Sequence, residues 1–138
     1  MGLKMRMEIE VEGRGKAVAE IDERSPDAAR EIWSKLPIEG SANIWQEEVY
    51  FEIPVEIGYE NKSPTASKGD MSYWPPGNAF CIFYGKTQPY SEVNHIGKVI
   101  ENLGMFEEVR EGDKVILRAA EGTREINKKK GLQDEKPS

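Results

Sequence analysis

Ala79-Phe80-Cys81-Ile82-Phe83-Tyr84 is apolar on both alternating faces, so a strand made of these residues has no side to give to water. Such a strand is central and covered on both sides. The residues before it fix how the chain arrives. Gly69-Asp70 forms a turn, because glycine accepts positive φ and aspartate hydrogen-bonds the backbone just after it. Met71 to Trp74 then runs extended. Pro75 and Pro76 fix φ and lack an N–H, which ends the ladder, and Gly77-Asn78 supplies residues able to take left-handed conformations in the reversal.

The rest of the chain reads as strands around one helix. Met5, Met7, Ile9 and Val11 alternate with Arg6, Glu8 and Glu10, the period-2 pattern of a half-buried strand, and Glu12 to Gly15 turns into a second strand, Lys16 to Ile21. Ser25-Pro26-Asp27 announces a helix over about 26–36, with Ser25 as N-cap and Pro26 at the first helical position. Ala29, Ile32, Trp33 and Leu36 share its apolar face. Gly40 to Trp45 reads as a short irregular strand. Val49 to Ile57 alternates again, with Val49, Phe51, Ile53, Val55 and Ile57 inward and Tyr50, Glu52, Pro54 and Glu56 outward; Pro54 marks an edge or bulge. Polar loops occupy Tyr59 to Lys68 and Lys86 to Val93. His95 to Ile100 is a strand in which Gly97 marks a bulge or close approach. A short second helix is expected over about 103–109, and Lys114 to Ala119 is the last strand. One domain therefore spans 5–120, after a flexible start at 1–4 and before a charged, disordered tail at 121–138.

Composition excludes several functions. A chain of 138 residues is long enough for one well-buried core without staples. Its formal net charge of −6 argues against nucleic acid as a partner. No apolar stretch reaches the ~20 residues of a membrane span, so no membrane partner is expected. Cys81, the single cysteine, rules out an internal disulfide and fits a reducing, cytoplasmic setting. His95 is the single histidine, which removes a histidine-rich metal site; no metal and no cofactor are expected. Gly13-x-Gly15 is too short for a phosphate loop and reads as a hairpin turn. Ser72 and Cys81 have no base nearby in sequence to make either a nucleophile.

With the chain reduced to β-β-α followed by further strands, three segments carry a resemblance. Val49-Tyr50-Phe51-Glu52-Ile53-Pro54, Gly69-Asp70-Met71-Ser72-Tyr73-Trp74-Pro75-Pro76-Gly77 and Ala79 to Gly85 together resemble the small cyclophilin-like proteins of archaea and bacteria, a family of unassigned function. Ile96-Gly97-Lys98-Val99 and Met105-Phe106-Glu107-Glu108-Val109 are similar to the Gly-Lys-Val strand and the short helix near the end of true cyclophilins. The resemblance implies a mainly β fold: a closed, roughly eight-stranded barrel with one main helix and a short second one. Closure also explains strands that are apolar on both faces.

The activity of true cyclophilins does not come with the resemblance. They isomerise X-Pro bonds with an arginine in a Phe-His-Arg motif, supported by a Phe-Met-x-Gln run, and this chain has Tyr50-Phe51-Glu52-Ile53 and Ser63 to Lys68 in those places. An ionised Glu52 only accepts hydrogen bonds, whereas twisting an amide calls for a donor. His95 stands two residues before Gly97 where the family's groove histidine stands four before.

Three classes of function remain open. The first is a non-catalytic binding module with a groove rimmed by Tyr50, Glu52, Tyr73, Trp74 and His95, holding a small molecule or a proline-containing peptide. Tyr73 and Trp74 beside the Pro-Pro corner motivate it, although aromatics in such places more often seal a barrel end. The second is an enzyme, either a weak prolyl isomerase or a catalyst acting on an amide- or urea-like substrate. The third is a structural protein that forms a homo-oligomer through exposed aromatics.

Overall fold

The computed structural model describes residues 5–120. Within them, β1 (Met5–Val11), β2 (Gly15–Ile21), α1 (Pro26–Ser34), β3 (Ile38–Ser41), β4 (Asn43–Trp45), β5 (Glu48–Glu52), β6 (Lys62–Ser63), β7 (Asp70–Trp74), β8 (Ala79–Phe83), β9 (Val93–Glu101) and β10 (Lys114–Ala119) follow in order. Short 3-10 turns cover Pro75–Gly77 and Leu103–Glu108. The expected starts and tails, 1–4 and 121–138, lie outside the described residues.

Nine strands hydrogen-bond in the order β3-β10-β1-β2-β9-β7-β8-β5-β4, all pairs antiparallel, and β6 joins β9 off this path. The two ends of that order, β3 and β4, are neighbours in sequence, so the sheet curls until the chain itself carries one end to the other through Ala42. The result is a nearly closed barrel. One strand more than the expected eight arises because Gly40 to Trp45 divides: β3 pairs β10 and β4 pairs β5.

The alternation in β1 puts Met7, Ile9 and Val11 fully inside, and β5 and β8 add Val49, Phe51, Phe80 and Ile82. The Phe51 and Phe80 rings meet at 5.7 Å between centroids, tilted by 39°. Burying rings of this size contributes about 2–3 kcal/mol each by area alone. On the far side of the barrel β1 and β10 show water a charged face, where the Arg118 guanidinium donates to Glu8 at 2.8 Å and to Glu10 at 2.9 Å.

Helix α1 packs Ala28, Ala29 and Ile32 into the barrel core, with Trp33 and Leu36 partly buried against it. It ends at Ser34, two residues earlier than its apolar spacing suggests, because Lys35 and Leu36 bond back three residues to Ile32 and Trp33 and tighten the last turn. Its N-terminal cap also differs from expectation. Ser25 makes no side-chain cap, and the Glu60 carboxylate, brought from a distant loop, accepts the N–H groups of Asp27 and Ala28 at 3.0 Å each. The strand expected over Val49 to Ile57 pairs only as far as Glu52. Beyond it Ile53 and Val55 still face the core while Pro54 is exposed.

Gly97 is a close-approach point, as its place in the strand suggested: a Cβ there would run into the Glu20 carbonyl oxygen of β2. The register of β9 slips beside it against β7, between Met71 and Ser72. This bulge sets which way His95 points.

Candidate functional site

Cross-strand register puts Glu48, Tyr50 and Glu52 of β5, Ala79, Cys81 and Phe83 of β8, and Ser72 and Trp74 of β7 on the outer face of the sheet. That face is dry. Ala79, Cys81 and Phe83 form a second apolar cluster, against which Tyr50, Ala66 and Trp74 pack. The cover comes from two loops clasped together by Gln88, which accepts the Ala66 N–H at 3.1 Å and donates to the Ala66 carbonyl at 3.0 Å.

The cover is incomplete. Between the sheet and the 84–92 loop lies an open cavity of about 290 Å³, lined by Trp45, Glu48, Tyr50, Trp74, Cys81, Phe83, Pro89, Tyr90 and Val93. Its aromatic walls are held from behind. Gly77 lies against the Trp74 indole, 2.8 Å from where a Cβ would sit, and Trp74 Nε1 donates to Ser91 Oγ at 2.7 Å. The turn carrying Trp45 is tied to the loop as well, since the Glu47 N–H donates to Thr87 Oγ1 at 2.8 Å and Glu47 Oε1 accepts the Lys86 N–H at 2.7 Å. Tyr90 stands edge-on to both indoles, with centroids 6.2 Å from Trp45 and 6.1 Å from Trp74 and interplanar angles of 86° and 88°. The rings are walls of a recess, not a stack.

Glu48 is the one charged residue of the lining and is only 6% exposed. It makes no ion pair among the described residues, and its side-chain partner is the Cys81 thiol. Removal from water raises its carboxyl to about 7, with the thiol hydrogen bond opposing weakly. The same burial, with Glu48 beside it, pushes the Cys81 thiol well up, so Cys81 is a packed thiol and not a nucleophile.

The structure divides the five residues expected on a groove. Tyr50 and Trp74 come together in the lining. Glu52 shares their face but is exposed and stays outside the recess. Tyr73 does not belong to a rim: it points the opposite way from Trp74, is fully buried in the barrel core, and donates its hydroxyl to the Val55 carbonyl at 2.6 Å. Strand alternation makes this unavoidable, since neighbours in a strand cannot share a face. His95 stands on the outer face but outside the recess, with Nε2 2.7 Å from Asp22 and Nδ1 3.6 Å from Asp70. Ser72 lies opposite it in register, yet its buried Oγ has no hydrogen-bond partner among the described residues, so no activated serine exists there. No group of three or more metal-binding side chains occurs among the described residues.

Sequence reasoning missed Trp45, Glu48, Phe83, Pro89, Tyr90 and Val93 as site residues. A signal for Glu48 was present. Because β8 is apolar on both faces, its partner β5 must be covered on both too, so the outward Glu48 and Tyr50 could not all be in water.

Fold and site together define a small antiparallel β-barrel protein with a ligand-sized recess on one wall. The chain belongs to the cyclophilin-like family, whose sequence profile matches residues 5–118. Among solved structures it is similar to a hypothetical protein, AF2241, from Archaeoglobus fulgidus, with 33% identity over 87% of this chain and 98% of that one and a TM-score of 0.73. It is also similar in fold to McbB, solved in complex with tryptophan, at 20% identity over 81% of this chain and 44% of that one, TM-score 0.69. No curated protein matches the sequence significantly.

Proposed function

We propose that this protein is a non-catalytic binding module that holds a small molecule in the recess on the outer face of β5, β8 and β7. The observation that carries this reading is the recess itself. A cavity of about 290 Å³ is near the lower end of small-molecule pockets, ~300–1,000 Å³, and its walls combine several aromatics with one polar group, the usual composition of such sites. Holding two loops open over an apolar face leaves surface unburied that closer packing would have used. A ligand restores that contact.

The reading favours a compact molecule over an extended proline peptide, because the recess is bounded by Pro89 and Tyr90 of the loop and is not a through-running groove. Prolyl isomerisation is expected to be weak or absent: the outward Glu52 carries no donor, and His95 is engaged by two aspartates away from the recess. One observation favours an enzyme instead. A buried carboxyl at about 7 beside an open recess is matched to proton transfer at neutral pH, and Glu48 would be its acid or base. A cytoplasmic setting belongs to the same proposal; among the described residues no helix is long and apolar enough to cross a membrane.

The test is ligand-observed NMR with a fragment set of small aromatics, run beside a protease-coupled assay on a panel of X-Pro peptides. Saturable fragment binding lost in a cavity-filling Val93→Phe variant is the expected result. Saturable acceleration of proline peptides, abolished by His95→Ala, would overturn the reading and put the function at His95.

A further inference from the structure

The recess joins two features that rarely meet unless a positive charge lies between them. One is a buried carboxylate without a counter-ion. No lysine or arginine lines the recess; the titratable groups that share it with Glu48 are the Cys81 thiol from β8, Tyr50 from its own strand and Tyr90 from the loop. The neighbouring Glu47 is turned away to the Lys86 N–H. The other is a set of aromatic rings, Trp45, Trp74 and Tyr90, in which Tyr90 stands at near right angles to both indoles. Each ring face carries negative electrostatic potential, and perpendicular rings direct their faces to different sides of the space they enclose, as aromatic cages for ammonium groups do.

We propose that the recess binds an organic cation, a protonated or methylated amine on an apolar body, with the charged head between Glu48 and the rings of Trp45, Trp74 and Tyr90. This rests on the small-molecule reading above and names the ligand class. A neutral ligand would leave the Glu48 carboxylate either uncompensated or protonated, and an anion would meet both the carboxylate and the ring faces. A cation satisfies both features at once. The net charge of −6 favours approach of cations over anions from solution.

Proton linkage follows. In the free protein the carboxyl titrates at about 7, and a bound cation holds it ionised, so binding below that pH expels a proton. For a quaternary ammonium, which has no proton of its own, affinity is expected to fall about tenfold per pH unit below 7 and to level off above it.

The experiment is isothermal titration of the full chain at pH 8 with three probes of one shape: 2-phenylethylammonium, 2-phenylethanol and phenylacetate. The ammonium is expected to bind at least about tenfold tighter than the alcohol, phenylacetate weakest, and Glu48→Gln to bring ammonium and alcohol together. Benzyltrimethylammonium titrated from pH 8 to 5.5 should show the loss of affinity described. Equal or tighter binding of the alcohol or the carboxylate by the wild-type chain overturns the cation assignment and leaves the small-molecule reading standing, with no variant needed. Absence of saturable binding for all four probes overturns both.

Discussion

The sheet of β5, β8, β7 and β9 is covered on both faces, and the two covers are built differently. The inner face carries Phe51, Phe80, Ile82, Met71, Tyr73 and Ile96, each 0% exposed, and its polar groups are bonded within the chain: the Tyr73 hydroxyl to Val55 and Asn78, and the Asn94 amide to Gly58 and Glu60. The outer face carries four buried titratable groups, Glu48, Asp70, Cys81 and His95, and an open cavity. His95 has a carboxylate at each ring nitrogen, whereas Glu48 has a thiol and a space. Both faces bury polar groups, but only the outer one leaves a carboxyl beside open space, which is where the proposed ligand binds.

The largest test of that division is Phe80→Ala on the inner face, which should cost about 3–5 kcal/mol through the cavity it leaves. Urea denaturation measures it. A cost below about 1 kcal/mol would mean that the inner face does not carry the fold. On the outer face His95→Ala should cost about 1–3 kcal/mol, because it removes a buried ring and its 2.7 Å bond to Asp22, while Asp70 keeps the Ser67 N–H. The same denaturation experiment compares the two directly.

Glu48→Gln should act with the opposite sign. Its carboxyl lies near 4.5 in the unfolded chain and at about 7 in the folded one, so between those values the unfolded state ionises first. Folded stability therefore falls as pH rises from about 4.5 to 7 and is flat above, by an amount of about 3 kcal/mol. The glutamine variant loses this slope and should be about 3 kcal/mol more stable than wild type at pH 8, with no gain at pH 4. A destabilised variant at pH 8 would show that the carboxylate is satisfied in a way the geometry does not reveal. The smallest effect belongs to Ser91→Ala, which removes the Trp74 Nε1 bond at the exposed rim and should cost about 0.5 kcal/mol while broadening the Trp74 indole signal.

The barrel was legible in the sequence because its code is local. Period 2 in Met5 to Val11, the doubly apolar Ala79 to Tyr84 and the Pro-Pro corner each state their own burial, and the cyclophilin-like resemblance orders them. The recess was half legible. Tyr50 and Trp74 were readable as aromatics beside that corner, but adjacency in sequence drew in Tyr73, which the strand pleat sends to the other side. Glu48 and Tyr90 are 42 residues apart and meet only through the pairing of β5 with β8 and the loop that follows. The Glu60 cap on α1 was hidden for the same reason: a carboxylate 32 residues downstream of Ala28 replaces the local serine.

The three tryptophans give the most direct measurement, because two line the recess and the third does not. Trp45 and Trp74 are walls, while Trp33 packs from α1 against the barrel core. In a nitrogen-15 correlation spectrum titrated with 2-phenylethylammonium, the indole N–H signals of Trp45 and Trp74 should move together and saturate at one concentration while that of Trp33 stays in place. Saturable movement of Trp33 with Trp45 and Trp74 unchanged would contradict the account, because the ligand would then sit at the helix and not at the outer face.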